Sequence, residues 1–323
     1  MSKKIDLSGA CGLLREWDDI LILAHQKPDG DTLGSAFALM WALEALGKRT
    51  RVECSDPFPE NYRVVIGEYE PTPFTPRFVV SVDIANLDLL GRLRETWEGK
   101  IDLCIDHHQL NTMGAAHSLI DPTVPATAQL VYQVITALGV AFDQRIAGAI
   151  FTGISTDTGC FRYASVTAQT HRIAAEMIEA GARHGEINRI MFDTRSRSLI
   201  ELDKIILNTL EYHFGGLCAL VMITREATRS LGIAEHELDG VSALPRRIQG
   251  VEVGLALREI EGGWRVSVRT RESVDSCALC AGFGGGGHKS AGGCTIQGDE
   301  QAVRELLLPA VEQALRSAGF DCK

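Results

Sequence analysis

Short apolar segments alternate with longer helical patterns through the first half of the chain, and this alternation limits the folds it can adopt. Residues 20–24 are all apolar, as in a strand buried on both faces, and residues 78–82 form a second such run. Apolar residues recur at helical spacing over 36–46, and Gly47 follows at the expected helix end. The pattern predicts an α/β fold with a mostly parallel sheet flanked by helices.

Acidic and histidine residues follow these buried segments. Because parallel sheets place ligand sites at the carboxyl ends of their strands, we expect such residues to lie close together. Further strands are predicted at 51–54 and 101–105, and further helices at 126–138, 143–155 and 167–180. The candidate site residues are His25, Asp29, Asp31, Asp83, Asp106, His107, His108 and Asp157.

The first cluster, His25, Asp29 and Asp31, lies within a single loop after the first strand. An imidazole and two carboxylates at this spacing can bind one or two divalent cations. A solvated turn is the alternative, because residues 28–31 also have the composition of a tight turn. The two interpretations are compatible, since a turn would aim the carboxylates.

The other clusters each have a structural alternative as well. Asp83 could cap a helix that begins near Asn86, and Asp157 could be an ordinary turn residue. His107 or His108 could be a hydrogen-bonded surface histidine. Four clusters of this kind at the ends of buried segments in one domain favour a metal centre over four unrelated explanations.

The second half of the chain predicts a smaller domain. Residues 181–213 have helical spacing and are expected to lead from the first domain to the second, with the boundary at 190–215. The predicted strands are at 217–223, 251–260 and 264–270, the last two forming a hairpin. Arg265 and Arg269 share one face of the final strand, and Arg265 is expected to face solvent.

A glycine-rich segment at 282–293 contains seven glycines. Glycine allows backbone N–H groups to approach phosphate oxygens, although such a segment can also be a flexible linker. The apolar residues Phe283, Ala291 and Cys294, on either side of its central glycines, favour a fixed loop. Just before it, Cys277 and Cys280 have the spacing of a zinc site, but a short helix with both thiols on its buried face is favoured.

The composition of the chain argues against some classes of function and partner. The formal charge of −10 argues against broad binding of duplex nucleic acid, which requires a basic surface. The chain has nine cysteines without regular spacing and no apolar run near the roughly 18 residues of a membrane span. Its first residues do not resemble a signal peptide. We therefore expect a cytoplasmic protein with reduced thiols and no membrane partner.

The clusters resemble a known family when they are taken together. His25-Gln-Lys-Pro-Asp29-Gly-Asp31, Val82-Asp83, Asp106-His107-His108 and Asp157-Thr-Gly159 are similar, in the same order, to the four motifs of the DHH phosphoesterase superfamily. Residues 284–293 resemble the glycine-rich motif of the DHHA1 domain that accompanies it. The resemblance implies a DHH catalytic domain at 1–195, a helical linker at 196–213 and an α/β DHHA1 substrate-binding domain at 214–323.

The compact arrangement is most similar to the nanoRNase/pAp-phosphatase branch of that superfamily. This resemblance implies a phosphoesterase that degrades short RNA oligonucleotides and converts 3′-phosphoadenosine 5′-phosphate (pAp) to AMP. The alternatives are a phosphodiesterase for cyclic or linear dinucleotides, an inorganic pyrophosphatase and a non-catalytic RNA-binding module. The oligomeric state stays open, with a homodimer as one candidate.

The family pattern also implies a role for each residue. His25 and Asp29 would bind one Mn²⁺, which Asp83 would bridge to a second. Asp31, His107 and Asp157 would complete the second site, with Mg²⁺ or Co²⁺ as substitute ions. His108 would face the substrate phosphate and Asp106 would support the geometry. The expected substrate contacts are Arg162, Arg269, Gly286, Gly287 and His288.

The chemistry of the donors supports this assignment independently of the resemblance. Mixed imidazole and carboxylate sites suit Mn²⁺ better than Ca²⁺, and the motifs contain no thiolate that would favour zinc. Arg162 lies just after the Asp157 motif, and we expect it to contact a substrate phosphate. Its neighbour Tyr163 is predicted either to contact a base or to pack within the protein.

Overall fold

The computed structural model describes residues 2–233, 238, 240–241, 244–271 and 273–322, without the side chain of His288. The chain divides into two compact units, Met1–Thr194 and Arg195–Lys323. Residues 196–213 lie within the second unit, and the three-part division expected from the sequence stays a prediction. Among the described residues, no helix has the length and hydrophobicity needed to span a lipid bilayer.

Within the described part of the first unit, six strands form one parallel sheet. The strands are β1 (Lys3–Lys4), β2 (Ile20–Leu23), β3 (Thr50–Glu53), β4 (Phe78–Val82), β5 (Leu103–Asp106) and β6 (His117–Ile120). The helices are α1 (Leu7–Glu16), α2 (Gly30–Ala45), α3 (Arg63–Ile66), α4 (Arg94–Trp97), α5 (Thr127–Leu138), α6 (Gln144–Asp157), α7 (Ala168–Glu179) and α8 (His184–Asn188). Short 3₁₀ segments lie at Glu60–Tyr62 and Leu87–Leu93, and a π-helical turn lies at Arg189–Asp193.

The strand order of this sheet is β1-β6-β5-β4-β2-β3. The chain therefore runs outward from β2 to β3, and then returns to place β4 on the other side of β2. Leu23 of β2 is aligned with Ser81 of β4, and Val82 is aligned with Ile105 of β5. This reversal opens a crevice at the carboxyl ends of the strands, which is where ligands bind in such sheets. The predicted parallel α/β fold is confirmed.

Helix α2 is buried along most of its length and packs closely against α6. Glycine makes the approach possible, because a Cβ at Gly34 would overlap the carbonyl oxygen of Ala149. A Cβ at Gly153 would likewise overlap the Cβ of Ala128, at the start of α5. The beginnings of α2 and α5 and the end of α6 are thereby brought together beside the strand ends.

In the described part of the second unit, six strands form a mixed sheet in the order β11-β12-β10-β9-β8-β7. The strands are β7 (Glu211–His213), β8 (Cys218–Ile223), β9 (Val253–Ile260), β10 (Gly263–Thr270), β11 (Gly286–His288) and β12 (Ala291–Gln297). The helices are α9 (Arg197–Asn208), α10 (Arg225–Ser230), α11 (Ser276–Ala281) and α12 (Glu300–Ser317), and 3₁₀ turns lie at Phe214–Gly216 and Pro245–Arg247. The predicted β9–β10 hairpin is confirmed, with Arg265 exposed on the face opposite the buried Val266 and Val268.

The glycine-rich segment is fixed, as favoured over a flexible linker, but it forms a hairpin of two paired strands instead of a loop. Strands β11 and β12 pair antiparallel, with Gly286 opposite Gly293. A Cβ at Gly287 would collide with the backbone of Ala291 and Gly292, so glycine is required for the strands to approach. Its φ of +141° is also rarely adopted by other residues.

The prediction that both cysteines of α11 share its buried face was also wrong. Cys280 is buried, whereas Cys277 is partly exposed. The buried stripe of this short helix runs through Ser276, Leu279 and Cys280, which have the i, i+3, i+4 spacing of a helix face. Cys277 lies beside that stripe.

Candidate metal centre

The crevice at the carboxyl edge of the first sheet gathers the acidic and histidine residues expected from the sequence. His25 follows β2, Asp83 follows β4 and Asp106 ends β5. Asp29 is the N-cap residue of α2, where its carboxylate accepts two backbone N–H groups, and Asp31 lies in the first turn of that helix. Asp157 is the last residue of α6, so this potential ligand comes from a helix and not from a strand end.

One group of potential ligands consists of His25, Asp29 and Asp83. The Nε2 atom of His25 lies 3.5 Å from Asp29 Oδ1 and 3.7 Å from Asp83 Oδ2. One donor atom from each of the three residues lies within 4.8 Å of the others, which is close enough for one ion to contact all three.

A second group consists of Asp31, His107 and Asp157, with the same mutual spacing. The Nε2 atom of His107 lies 3.9 Å from Asp31 Oδ2 and 3.6 Å from Asp157 Oδ2. The same nitrogen lies 3.7 Å from Asp83 Oδ1. The two oxygens of Asp83 therefore face different groups, Oδ2 toward His25 and Oδ1 toward His107.

Backbone carbonyls orient both imidazole rings. The Nδ1 atom of His25 is 2.8 Å from the carbonyl oxygen of Gln26, and that of His107 is 3.3 Å from the carbonyl oxygen of Val124. Because a carbonyl oxygen only accepts hydrogen bonds, Nδ1 carries the proton in each ring. The lone pair of Nε2 is then directed toward the carboxylates, as in histidines that bind metals.

His108 has different surroundings from His107. Its Nδ1 atom pairs with Asp106 Oδ1 at 2.8 Å, and 41% of its side chain is exposed. Asp106 is fully buried and also accepts a hydrogen bond from the side chain of Asn111, at 2.6 Å. His108 belongs to a third potential ligand group with Asp83 and His107. Since Nδ1 is already paired, its Nε2 atom is the one left for an incoming ligand.

The electrostatics of the crevice are those of carboxylates crowded into a buried site. Burial and the neighbouring carboxylates raise the pKa values of Asp31 and Asp83 well above the usual range. Burial also raises the pKa of Asp157. A divalent cation would reverse these effects because it favours the ionised form of each carboxylate. The donors are imidazole and carboxylate groups, which fit a borderline divalent cation.

Hydrogen bonds and ion pairs shift the pKa values of other groups at the centre. Burial opposes the shift, but the His25 imidazole and backbone N–H groups lower the pKa of Asp29 overall. In Asp106, hydrogen bonds from His108 and Asn111 outweigh burial and lower the pKa. Asp106 in turn raises the pKa of His108, and Asp29 raises the pKa of His25 against the effect of burial.

Asp83 has a strained backbone at the end of β4. Its φ is +59°, in the left-handed region that residues other than glycine seldom occupy. The surrounding sheet holds it there, because its N–H donates to the carbonyl oxygen of Ile105 at 3.0 Å. Such strain persists where the structure over-determines it, and it commonly marks functional positions.

Several polar contacts of the centre could not be anticipated from the sequence, and two of them involve Thr127 and Asn111. Thr127, the first residue of α5, donates its hydroxyl to Asp83 Oδ1 at 2.9 Å. The second is Asn111, which binds the carboxylate of Asp106. The only available signal for Thr127 was the start of the predicted helix at 126–138, which has an alanine at the N-cap position.

The expected substrate contacts are placed in both units. Arg162 and Tyr163 are exposed in the turns that follow Asp157, and the Nε atom of Arg162 donates to the carbonyl oxygen of Gly159. Arg269, in β10, has Nη1 at 3.1 Å from the carbonyl oxygen of Val268. Gly286 and Gly287 lie in β11, and the side chain of His288 lies outside the described part of the chain.

Comparison with known proteins agrees with the motifs. Residues 19–154 match the family model described as the DHH family, N-terminal domain. The chain is 36% identical, over 93% of its own length and 91% of the other, to a bifunctional oligoribonuclease and PAP phosphatase NrnA from Thermus thermophilus. The chain belongs to the DHH family. The family predicted from the four motifs is thus confirmed, while the DHHA1 assignment of the second unit stays a prediction.

Other relatives of this DHH-family chain span most of its length. A protein with the same description from Bacillus subtilis is 23% identical over 90% of this chain and 93% of its own. The crystal structure of an exopolyphosphatase-related protein from Bacteroides fragilis superposes with a TM-score of 0.85 at 23% identity, covering 96% of this chain and 95% of that one. Exonuclease RecJ bound to manganese gives a TM-score of 0.52 at 14% identity, covering 98% and 95%. These structures share the fold.

Proposed function

We propose that the protein is a two-metal phosphoesterase that hydrolyses short oligoribonucleotides to mononucleotides and converts pAp to AMP. The observation that carries the proposal is the position of Asp83, with one carboxylate oxygen 3.7 Å from His25 and the other 3.7 Å from His107. The relatives from Thermus thermophilus and Bacillus subtilis, described as bifunctional oligoribonucleases and PAP phosphatases, support the choice of substrates.

The proposed cofactor is a pair of Mn²⁺ ions, with Mg²⁺ or Co²⁺ as substitutes. His25, Asp29 and Asp83 would hold the first ion. Asp31, His107 and Asp157 would hold the second, with Asp83 shared between the two. Divalent cations at these positions would activate water for attack and neutralise charge on the phosphate.

The side chains around the two ligand sets have separate proposed roles. Asp106 fixes the ring of His108, whose Nε2 atom would hydrogen-bond the substrate phosphate. Asp106 also supports the proton on His108, since it raises the pKa of that imidazole. Further phosphate or base contacts are proposed for Arg162, Arg269, Gly286, Gly287 and His288.

A substrate panel tests the proposal. Wild-type protein with Mn²⁺ is assayed against pApA, pAp, cyclic di-AMP and pyrophosphate at equal concentrations. We expect kcat/KM to be highest for pApA and pAp, because the proposed site acts on terminal phosphoesters of short substrates. Faster turnover of cyclic di-AMP or pyrophosphate would replace the proposed function with one of those activities.

A variant of the shared ligand links this activity to the site. Asp83→Asn keeps the size of the side chain but removes the charge, so kcat should fall about 1,000-fold, equivalent to several kcal/mol of lost stabilisation. Asp88→Asn is the matched control, because Asp88 is a solvent-exposed carboxylate a few residues further on that pairs with Arg94. Asp83→Asn with wild-type turnover would refute the two-metal mechanism.

A further inference from the structure

The first turn of α5 contacts two of the buried carboxylates of the centre, those of Asp31 and Asp83. Asp31 Oδ2 accepts the backbone N–H of Thr127 at 2.6 Å, and Asp31 Oδ1 accepts that of Ala128 at 2.8 Å. The N-cap residue Ala126 has no side-chain acceptor to satisfy these groups. Asp31 therefore caps α5 from another helix, which fixes the start of α5 relative to the ligand groups.

The hydroxyl of Thr127 extends this contact to Asp83. The side chain of Thr127 is fully buried, and its β-branched form restricts rotation about χ1. Its Oγ1 atom is 2.9 Å from Asp83 Oδ1, the oxygen that faces His107. A hydrogen bond to Oδ1 sets the plane of the carboxylate, so Oδ2 stays turned toward His25.

Few other groups fix this carboxylate plane. Asp83 has only two side-chain torsions, and rotation about the second would turn both oxygens away from their facing histidines. Those histidines lie 3.7 Å away, beyond a normal hydrogen bond. Among the described residues, Thr127 supplies the one side-chain hydrogen bond of normal length to this carboxylate.

We propose that Thr127 is a positioning residue that aligns Asp83 between the two ligand groups and thereby sets the affinity for the second divalent cation. The proposal rests on the two-metal function proposed above. Hydrogen-bonding partners of metal ligands typically change metal affinity or activity by about 10- to 100-fold when they are removed.

Titration with Mn²⁺ alone tests this role without any substrate. Thr127→Val removes the hydroxyl and keeps the branched shape, whereas Thr127→Ser keeps the hydroxyl. Isothermal calorimetry should show that the valine variant binds one of two Mn²⁺ ions about 10- to 100-fold less tightly, while the serine variant stays within about threefold of wild type. At metal concentrations that saturate the wild type, the electron paramagnetic resonance spectrum of a coupled Mn²⁺ pair should be present in the wild type and absent in Thr127→Val.

Thr152→Val is the matched control. Thr152 is also a buried threonine, but its hydroxyl donates to the carbonyl oxygen of Gly148 within α6 at 2.8 Å. Its valine variant should bind both ions with wild-type affinity. On pAp, Thr127→Val should lower kcat about 10- to 100-fold with KM within about twofold, because metal alignment and not substrate binding is impaired.

Three results would overturn the proposal: unchanged binding of both ions by Thr127→Val, equal losses in the valine and serine variants, or a wild type that binds a single ion. If Thr127→Val does not fold, comparison of Thr127→Ala with Thr127→Ser isolates the same hydroxyl. The proposed function fails separately: a wild type that binds two ions but cleaves neither pApA nor pAp refutes that function, while the titration still decides the role of Thr127.

Discussion

Two adjacent histidines of the same motif have opposite surroundings. The Nε2 atom of His107 lies within 3.9 Å of three carboxylates, and 17% of its side chain is exposed. His108 turns its Nδ1 atom toward Asp106 and is more exposed. The difference arises because the Nδ1 atom of His107 pairs with the carbonyl oxygen of Val124, whereas that of His108 pairs with Asp106. Their proposed tasks, metal binding and phosphate contact, follow from this geometry.

Replacement of each histidine should therefore have a different effect on metal content. His107→Gln should lose one of two Mn²⁺ ions, because it removes the only imidazole of the second ligand group. His108→Gln should retain both ions and lose about 100- to 1,000-fold in kcat, as expected for loss of a hydrogen bond to the reacting phosphate. Metal analysis after gel filtration and steady-state kinetics on pAp measure both effects. A His108→Gln protein that lost an ion would assign His108 to the metal ligands instead.

At the scale of single residues, the sequence predicted which acids and histidines gather at the centre. It did not predict the hydrogen-bond partners that orient them. His25, Asp83 and His107 each follow a recognisable strand. Thr127 could not be predicted in the same way, because its partner Asp83 is 44 residues away and a threonine at a helix start is unremarkable. The strained φ of Asp83 also depends on its neighbours in the sheet.

Helices α2 and α6 carry potential ligands of the second group at their ends, so their packing distance positions Asp31 against Asp157. Gly153 of α6 also lets the start of α5 pack close to this pair of helices. A Cβ at this position would overlap Ala128 Cβ and come within 3.0 Å of Asp31 Oδ1. Elsewhere on α6, a Cβ at Gly148 would meet open space among the described residues.

Alanine at these two glycines should change stability in opposite directions. Gly148→Ala should raise the free energy of unfolding by about 0.4–1 kcal/mol, because alanine reduces the entropy of the unfolded chain. Gly153→Ala should lower it by about 1–3 kcal/mol through overpacking, and should also weaken Mn²⁺ binding. Urea denaturation in EDTA and Mn²⁺ titration test both effects. Equal stabilisation by the two substitutions would show that α6 can move away from the start of α5 without cost.

Helices and strands could be predicted from the sequence where apolar side chains recur at helical spacing or form a strand-like run. The helix predicted at 143–155 is observed at Gln144–Asp157, and the strand predicted at 217–223 is observed at Cys218–Ile223. The hairpin of β11 and β12 was missed because glycines carry no alternating side chains. Their role is visible only once the close approach of the two strands is known.

At the scale of the whole molecule, several buried acids converge on one crevice, and this affects how stability depends on pH. The folded-state pKa values of Asp31, Asp83 and Asp157 are raised, so the folded chain holds protons that the unfolded chain has already released above about pH 4. Stability of the metal-free protein therefore falls as pH rises.

The two histidines with raised pKa values also make the metal-free protein less stable as pH rises. The acids with lowered pKa values do not affect stability in this pH range. The raised pKa values of His25 and His108 contribute stability below about pH 6.5, which is lost as pH rises through their folded-state pKa values. The lowered pKa values of Asp29 and Asp106 contribute stability that is lost only as pH falls below about 4. Between pH 5.5 and 8, the groups that still titrate are those with raised pKa values, the three acids and the two histidines. Each of them makes the metal-free protein less stable as pH rises.

Metal removal should therefore be more destabilising at higher pH. Mn²⁺ binding strengthens as its ligands lose protons, and free Mn²⁺ at 100 times Kd adds about 2.7 kcal/mol per site. For a unit of this size, Tm rises by roughly 2–4 °C per kcal/mol. Scanning calorimetry in Mn²⁺ and in EDTA should show a Tm difference that widens from pH 5.5 to pH 8. The change in this Tm difference with pH should be smaller in Asp83→Asn, which lacks one titrating carboxylate. A Tm difference of the wild type that stays constant with pH would mean that these acids do not titrate as a buried cluster.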